Sequence, residues 1–250
     1  MKAMVAMVLT AVLTSVVGAP LLGSALDDKI ESSFRNSYVW KTYLKDDAVK
    51  IKANDGIVTL TGTVSEESHK SLAGETAAGL PGVTRVDNQL EVKSGHDANS
   101  DVWIAAKVKA TLLFHSKVSA GTEVSVNNGV VTLSGTADSA DQKVLTSEYA
   151  KGVDGVTEVK NNMTVSKTPS TATKETSKAI NKIDDASITA QAKMALLFDR
   201  STSSLKTTVK TTNGIVTLTG KAATTVERDK ATKLVSDIHG VKRVRNQMTI

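Results

Sequence analysis

Histidine is the residue type in this sequence with the widest chemical scope, because an imidazole serves both acid–base catalysis and metal binding. The chain contains His69, His96, His115 and His239. No two of them are four residues apart, the spacing that places two ligands on one helix face, and the chain has no cysteine to add thiolate ligands. The sequence therefore predicts four surface histidines, no metal site and no cofactor.

Paired carboxylates suit general acid–base chemistry. Three such pairs occur, at Asp27-Asp28, Asp46-Asp47 and Asp184-Asp185. The first and third stand at predicted helix starts, where caps and the helix dipole already account for them. The sequence also lacks a nucleophile-elbow serine and a phosphate-binding glycine loop. These patterns predict a protein that is not an enzyme.

An internal repeat organises the chain. The run GIVTLTG at 56–62 returns as GVVTLSG at 129–135 and as GIVTLTG at 214–220. Asn88, Asn161 and Asn246 then follow in the same register. The sequence therefore predicts three copies of one small module, since repeats of this length mark a single recurring structural unit. The predicted units are module 1 (26–93), module 2 (100–166) and module 3 (184–250), joined by linkers at 94–99 and 167–183.

Within each module the hydrophobic period identifies the elements. Ile30, Phe34 and Tyr38 are spaced by four, which indicates one face of an amphipathic helix. An alternating strand, an Asn-Gly or Asp-Gly turn and a second strand follow, as in a β-hairpin. A second helix and a last strand complete the unit. The predicted fold class is α+β, with each module a helix-strand-strand-helix-strand unit whose two helices cover one face of a three-stranded mixed sheet.

Glycines recur at positions where a turn or a helix end requires them. The predicted turn and cap glycines are Gly56, Gly62, Gly82, Gly129, Gly135, Gly155, Gly214, Gly220 and Gly240. The linker at 167–183 is rich in Thr, Ser and Lys, which favours a flexible tether. Module 3 is therefore expected to move relative to modules 1 and 2.

The first 25 residues have the pattern of an export signal. Lys2 precedes an apolar run, and the segment ends in Leu-Gly-Ser-Ala at 22–25. The run is shorter than the ~20 residues that span a bilayer, so cleavage after Ala25 is favoured over an uncleaved anchor. A periplasmic location follows, and secretion beyond the cell remains open.

The repeated Gly-x-Val-Thr-Leu-x-Gly run, followed by a helix, a Gly-Val pair and a Val-x-Asn element, resembles the signature of the BON domain family. The resemblance extends over all three modules. It implies an exported protein, associated with osmotic or other envelope stress, whose modules bind phospholipid or other envelope surfaces.

Positive charge is concentrated in module 3, which carries 11 basic and 6 acidic residues, whereas module 1 carries 9 and 11. The basic residues include Lys242, Arg243 and Arg245. Such a cluster suits anionic lipid headgroups, although a solvated basic face without a partner is an equally good interpretation. Nucleic acid is not an expected partner of an exported protein.

Trp103 is the second candidate for membrane contact. It lies one step off the apolar stripe of its helix, with Lys107 one turn later and Lys109 nearby. An amphipathic ring beside lysines suits a membrane interface, and the alternative is a Trp packed on a neighbouring module or linker. Phe114 and Phe198 occupy equivalent positions and are expected to be packing residues.

The resemblance to the BON domain family, together with Trp103 and the charge of module 3, implies peripheral binding of anionic phospholipid surfaces by a periplasmic protein that supports envelope integrity. The alternative is a chaperone-like or scaffold protein that binds other envelope proteins.

Overall fold

The computed structural model describes residues 21–93, 100–119, 121–166, 183–202 and 206–250. Module 1 contains α1 (Leu21–Asn36), α2 (Tyr38–Thr42), β1 (Ala48–Asn54), β2 (Ile57–Val64), α3 (Glu67–Ala78), β3 (Arg85–Asn88) and β4 (Glu91–Val92). Module 2 contains α4 (Asp101–Phe114), β5 (Glu123–Asn127), β6 (Val130–Ser134), β7 (Thr136–Ala137), α5 (Ala140–Gly152), β8 (Glu158–Asn161) and β9 (Thr164–Val165). Module 3 contains α6 (Asp185–Phe198), β10 (Lys206–Thr212), β11 (Ile215–Lys221), α7 (Thr225–Ser236) and β12 (Arg243–Asn246).

Each module has the mixed sheet that its sequence predicts. The first two strands form an antiparallel hairpin, and the strand after the second helix pairs in parallel with the second strand. Side chains alternate between buried and more exposed along these strands, because the helices cover only one face of each sheet. The α+β fold class is confirmed, and all nine predicted turn and cap glycines have positive φ. Two features were not predicted: the short helix α2, and a last strand that is broken into two pieces in modules 1 and 2.

The first helix of each module carries an aspartate that holds the hairpin turn. In module 1, Asp27 accepts the N–H groups of Asp55 and Gly56 at 2.9 and 3.1 Å. Asp101 and Asp185 make the same pair of bonds to the turns of modules 2 and 3. The carboxylate therefore locks the hairpin to the helix, which explains an aspartate at this position without any catalytic role.

This finding corrects part of the capping prediction. Helix α1 begins at Leu21, so Asp27 and Asp28 lie inside the helix and are not its N-cap. In module 3 the prediction is confirmed, since Asp184 caps α6 through its side chain, and Ser100 caps α4 of module 2 in the same way.

A recurring asparagine fastens the last strand to the second helix. Its amide nitrogen donates to a helix carbonyl and, in module 2, also to the hydroxyl of Ser147, at 2.6 Å from Asn161. Asn246 reaches Thr232 in the same way at 2.8 Å. Module 1 has Gly74 where the hydroxyl would stand, and among the described residues the Asn88 amide nitrogen donates only to the carbonyl of Lys70. An open crevice lies beside Gly74, at the position where the other two modules have the side chain of Ser147 or Thr232.

Replacing Gly74 by serine is expected to stabilise the protein by about 1 kcal/mol. Serine favours the helix over glycine and would supply the hydroxyl that Asn161 and Asn246 already use. An added Cβ would lie 2.7 Å from the Asn88 amide nitrogen, which is the free end of a side chain and able to adjust. The urea midpoint of Gly74→Ser should rise, and it should exceed that of Gly74→Ala, which offers no hydroxyl. A midpoint at or below that of the wild type would contradict this explanation.

Modules 2 and 3 pack against each other around an approximate two-fold axis. The segment after the first helix of each module forms a short antiparallel bridge with the end of the second helix of the other. Four backbone hydrogen bonds of 2.8–2.9 Å repeat this symmetry: Ser116 N to Asp237 O, His239 N to Phe114 O, Arg200 N to Gly152 O, and Asp154 N to Phe198 O. We call this contact the joint.

Module 1 differs from the other two modules at a position that the joint uses. Asp154 and His239 each donate a backbone N–H across the joint, and the position that matches them in module 1 is Pro81. Proline has no backbone N–H, so module 1 lacks one of the two donors that the symmetric pairing uses. Module 1 could therefore not repeat the full set of hydrogen bonds that joins modules 2 and 3.

Module 1 contacts module 3 where the start of α2 meets the start of α6. Asp184 and Ser187, which form the first turn of α6, accept the N–H groups of Tyr38 and Val39 at 2.8 and 3.1 Å. Lys193 also pairs with Glu75 at 2.6 Å. Module 3 is therefore packed on both other modules, and its motion relative to them, expected from the linker composition, stays a prediction.

The expected signal segment falls mostly outside the described residues, and the expected cleavage site after Ala25 lies within α1. Among the helices that the structure describes, none is long and apolar enough to cross a membrane.

Candidate functional site

The outer face of the module 3 sheet carries five basic side chains. Strand alternation turns Val209, Val216 and Leu218 inward to the helices. The exposed basic residues of the three strands are Lys206, Lys210, Lys221, Arg243 and Arg245, and we call this surface the basic face. The strands that form it contain no acidic residue.

The strand register brings these charges together. Lys206 lies opposite Lys221, and Lys210 lies in one row with Thr217 and Arg245. Like charges directly opposite each other on a sheet are destabilising. Within the described part of the chain, no carboxylate forms an ion pair with any of the five. The basic face therefore leaves its positive charge available to a ligand.

The other two modules show that the fold does not require this charge. The five matching positions in module 1 hold Ala48, Lys52, Thr63, Arg85 and Asp87. In module 2 they hold Gly121, Ser125, Thr136, Glu158 and Lys160. One backbone thus tolerates neutral, acidic and basic residues at these places, and only module 3 has a base at all five.

Two of the predicted site residues, Arg243 and Arg245, belong to the basic face, and Lys242 is exposed directly beside it. Lys206, Lys210 and Lys221 were not among the predicted site residues. The sequence feature that could have revealed two of them is the spacing of Lys206 and Lys210. Residues four apart on a predicted strand point to the same face of the sheet, here the face away from the core.

The fold leaves only part of the other predicted cluster exposed. Trp103 is half-buried, and its ring meets the Phe198 ring of module 3 edge-on at 5.8 Å. Lys107 is only 6% exposed and donates to the Asp154 carbonyl at 2.6 Å, and burial lowers the pKa of its ammonium group. Lys109 is exposed. This geometry supports the alternative interpretation of Trp103 as a residue packed on a neighbouring module.

Phe114 and Phe198 are buried at 1% and 3% exposure, which confirms them as packing residues. Trp40 packs edge-on against Phe34 at 5.5 Å.

A serine, a histidine and an aspartate meet in module 1 without forming a catalytic triad. Both Asp47 Oδ2, at 2.6 Å, and Ser65 Oγ, at 3.1 Å, approach the same nitrogen, Nδ1 of His69. A triad needs the serine on Nε2 and the carboxylate on Nδ1, so this histidine cannot pass a proton between the two. No group of three potential metal ligands occurs among the described residues.

The prediction of four surface histidines was wrong for His115, which is 1% exposed in the joint. His69 and His239 are half-buried, and His96 lies outside the described residues. Sequence alone could not place His115 because its burial comes from module 3, far along the chain.

Comparison with known proteins agrees with this architecture. The family model for the BON domain matches residues 26–94, 100–167 and 184–250. The chain therefore belongs to the BON domain family. It is similar to Osmotically-inducible protein Y of Escherichia coli (strain K12), at 32% identity over 149 residues, covering 57% of this chain and 74% of that protein.

It is also similar to the 21 kDa hemolysin of Actinobacillus pleuropneumoniae, at 34% identity over 146 residues, covering 55% of this chain and 73% of the hemolysin. Among solved structures, two chains of CdsD, a structural protein of the type III secretion system of Chlamydia trachomatis, match 89% and 90% of this chain and 90% and 96% of their own length. Their identities are 17% and 18% and their TM-scores are 0.23, too low to bear on how the modules are arranged.

Proposed function

We propose that this protein is an exported, non-enzymatic envelope protein that binds anionic phospholipid surfaces through the basic face of module 3. The observation that carries the proposal is the set of five exposed basic residues on one sheet face, without ion-pair partners in the described structure. The five charges lie on one face of the same sheet, so they can approach headgroup phosphates together. Each basic residue near an anionic membrane contributes about 1 kcal/mol.

Membership of the BON domain family and the name of the Escherichia coli relative support a role under osmotic stress. The export pattern of residues 1–25 supports a periplasmic location, where the protein would stabilise the envelope by peripheral contact with the membrane. Lys242 beside the basic face would add to the attraction.

The test is co-sedimentation of residues 26–250 with phosphatidylglycerol and phosphatidylcholine vesicles. Binding is expected to the phosphatidylglycerol vesicles alone, and it should weaken at high salt because screening shortens the reach of surface charges. The double variant Lys210→Ser/Arg243→Ser removes two charges and should lose about 2 kcal/mol of binding, or roughly 30-fold in affinity.

A matched control exists in module 1. Lys52→Ser/Arg85→Ser makes the same change of charge at the same two positions of the repeat. Its binding should match the wild type. Equal loss in both variants would show that net charge alone decides binding, and absence of binding to either vesicle would reject the lipid proposal and favour envelope proteins as partners.

A further inference from the structure

Thr217 of β11 lies in the middle of three basic residues on the basic face. Its strand partners are Lys210 on β10 and Arg245 on β12, and Arg243 stands two residues before Arg245 on the same face. Neighbouring strands are about 4.8 Å apart, and residues two apart along a strand are about 6.7 Å apart. Long basic side chains reach over such distances, so three cations can meet beside the Thr217 hydroxyl. We call these four residues the Thr217 site.

The side chains of the Thr217 site are not committed to other protein groups. Among the residues that the structure describes, none of the four forms a side-chain hydrogen bond or an ion pair. By contrast, Lys230 and Lys233 of α7 each pair with a carboxylate. Like charges that face each other on a sheet are destabilising. An anion bound between the three bases would therefore relieve their repulsion.

The threonine of this site occurs in all three modules, whereas the three bases occur only in module 3. The matching threonines are Thr59 in module 1 and Thr132 in module 2. The residues around them are Lys52, Arg85 and Asp87 in module 1, and Ser125, Glu158 and Lys160 in module 2. Each of these two sets includes an acidic residue. The repeat therefore explains the threonine but not the three bases around Thr217.

The donors of the Thr217 site match a phosphate monoester better than a phosphate diester. Arginine presents a planar fork that binds two phosphate oxygens, lysine adds a point charge, and the threonine hydroxyl donates one more hydrogen bond. A phosphate monoester carries a charge of about −1.5 to −2 at pH 7 and has three strong acceptor oxygens. A diester is bonded on two sides, so it keeps one charge and two free oxygens. Four donor groups around one point therefore favour the monoester.

We propose that the Thr217 site binds the terminal phosphate monoester of a lipid headgroup, so that the protein prefers phosphatidic acid to phosphatidylglycerol. This inference rests on the proposed membrane binding by the basic face, and it names the headgroup that the centre of that face selects. Lys206 and Lys221 pair with each other four residues away along β10 and β11, a distance of about 13 Å. They contact neighbouring headgroups of any anionic type.

The experiment compares vesicles of phosphatidic acid with vesicles of phosphatidylglycerol. Both are diluted with phosphatidylcholine to the same zeta potential, so that the general attraction of the basic face is equal. The protein is that of the co-sedimentation test. At this matched charge, the wild type should bind the phosphatidic acid vesicles about tenfold more tightly, which is the effect of one additional hydrogen bond to a charged group.

Thr217→Val tests the site without any change of charge. Valine keeps the branched shape and the strand preference of threonine but has no hydroxyl. The variant should keep the wild-type affinity for phosphatidylglycerol vesicles and lose most of the tenfold preference for phosphatidic acid. Thr59→Val makes the same change at the same position of the repeat in module 1, where Asp87 replaces one base. This control should keep the preference.

Inorganic phosphate distinguishes a lipid headgroup from a free ion as the ligand. At the membrane, Lys206, Lys221 and Lys242 add to the attraction. Inorganic phosphate at the same concentration as the phosphatidic acid, and at constant ionic strength, should therefore leave the protein on the vesicles. Displacement at that concentration would show that the site takes free phosphate and would overturn its assignment to a lipid.

The failure of this inference differs from the failure of the proposed function. Equal binding of the wild type to the two kinds of vesicle, an unchanged preference in Thr217→Val, or loss of the preference in Thr59→Val would overturn the Thr217 site and leave membrane binding by the basic face in place. Absence of binding to either kind of anionic vesicle would reject the proposed function and the Thr217 site together.

Discussion

Replacing Gly135 by alanine is expected to destabilise module 2 by on the order of 4 kcal/mol, because two separate costs act at this position. Its φ of 110° lies in the region that side chains other than glycine rarely adopt. In addition, an added Cβ would overlap the carbonyl oxygen of Gly121 on the neighbouring strand segment. That oxygen belongs to the backbone, so the sheet itself would have to move.

Gly121→Ala is the matched control, since it lies on the other side of the same contact. An added Cβ at Gly121 meets nothing closer than the Ser119 hydroxyl at 3.9 Å. This variant should remain within about 0.5 kcal/mol of the wild type. Urea unfolding followed by circular dichroism measures the stability of both variants. Equal stability would show that module 2 does not need the close approach of Gly135 to the Gly121 carbonyl.

The predictability of Gly135 shows which features of this fold are visible in the sequence. Turn glycines, hairpin strands and amphipathic helices leave local patterns, and three copies of the repeat make each pattern easy to recognise. The order of elements and the parallel last strand followed from those patterns. The aspartate that holds the hairpin turn was visible as a residue, but its partners lie some 28 residues away, so its role needed the structure.

The contacts between modules could not be predicted in the same way. Trp103 was recognised as unusual from its register, but its partner Phe198 is in another module, and no local pattern links the two. His115 and Asp199 occupy the same place in the joint with different chemistry, so the repeat itself gives no guide to their burial. The basic face was predicted in part, because Arg243 and Arg245 stand close together in sequence whereas the three lysines join them only through strand pairing.

Replacing Asp237 by alanine is expected to cost about 2 to 3 kcal/mol of unfolding free energy. The main cause is the Tyr149 hydroxyl, which belongs to a residue only 4% exposed and would lose its charged acceptor. Hydrogen bonds from Tyr149 and Lys117 outweigh the effect of burial and hold the pKa of Asp237 below its ordinary value, so the carboxylate is charged at neutral pH. Lys117 contributes less, because its side chain is 63% exposed and remains solvated when the pair is broken.

A double-mutant cycle separates this hydrogen bond from the rest of the joint. Tyr149→Phe removes the hydroxyl, and in that background Asp237→Ala should cost about 1 to 2 kcal/mol less than it does in the wild type, because no buried donor is left unpaired. Asp229→Ala in α7, whose side chain is 71% exposed, is the control and should change stability by less than about 0.5 kcal/mol. Additive effects of the Asp237 and Tyr149 substitutions would mean that the two residues stabilise the joint independently. The Asp237 carboxylate would then stabilise the joint chiefly through its ion pair with Lys117.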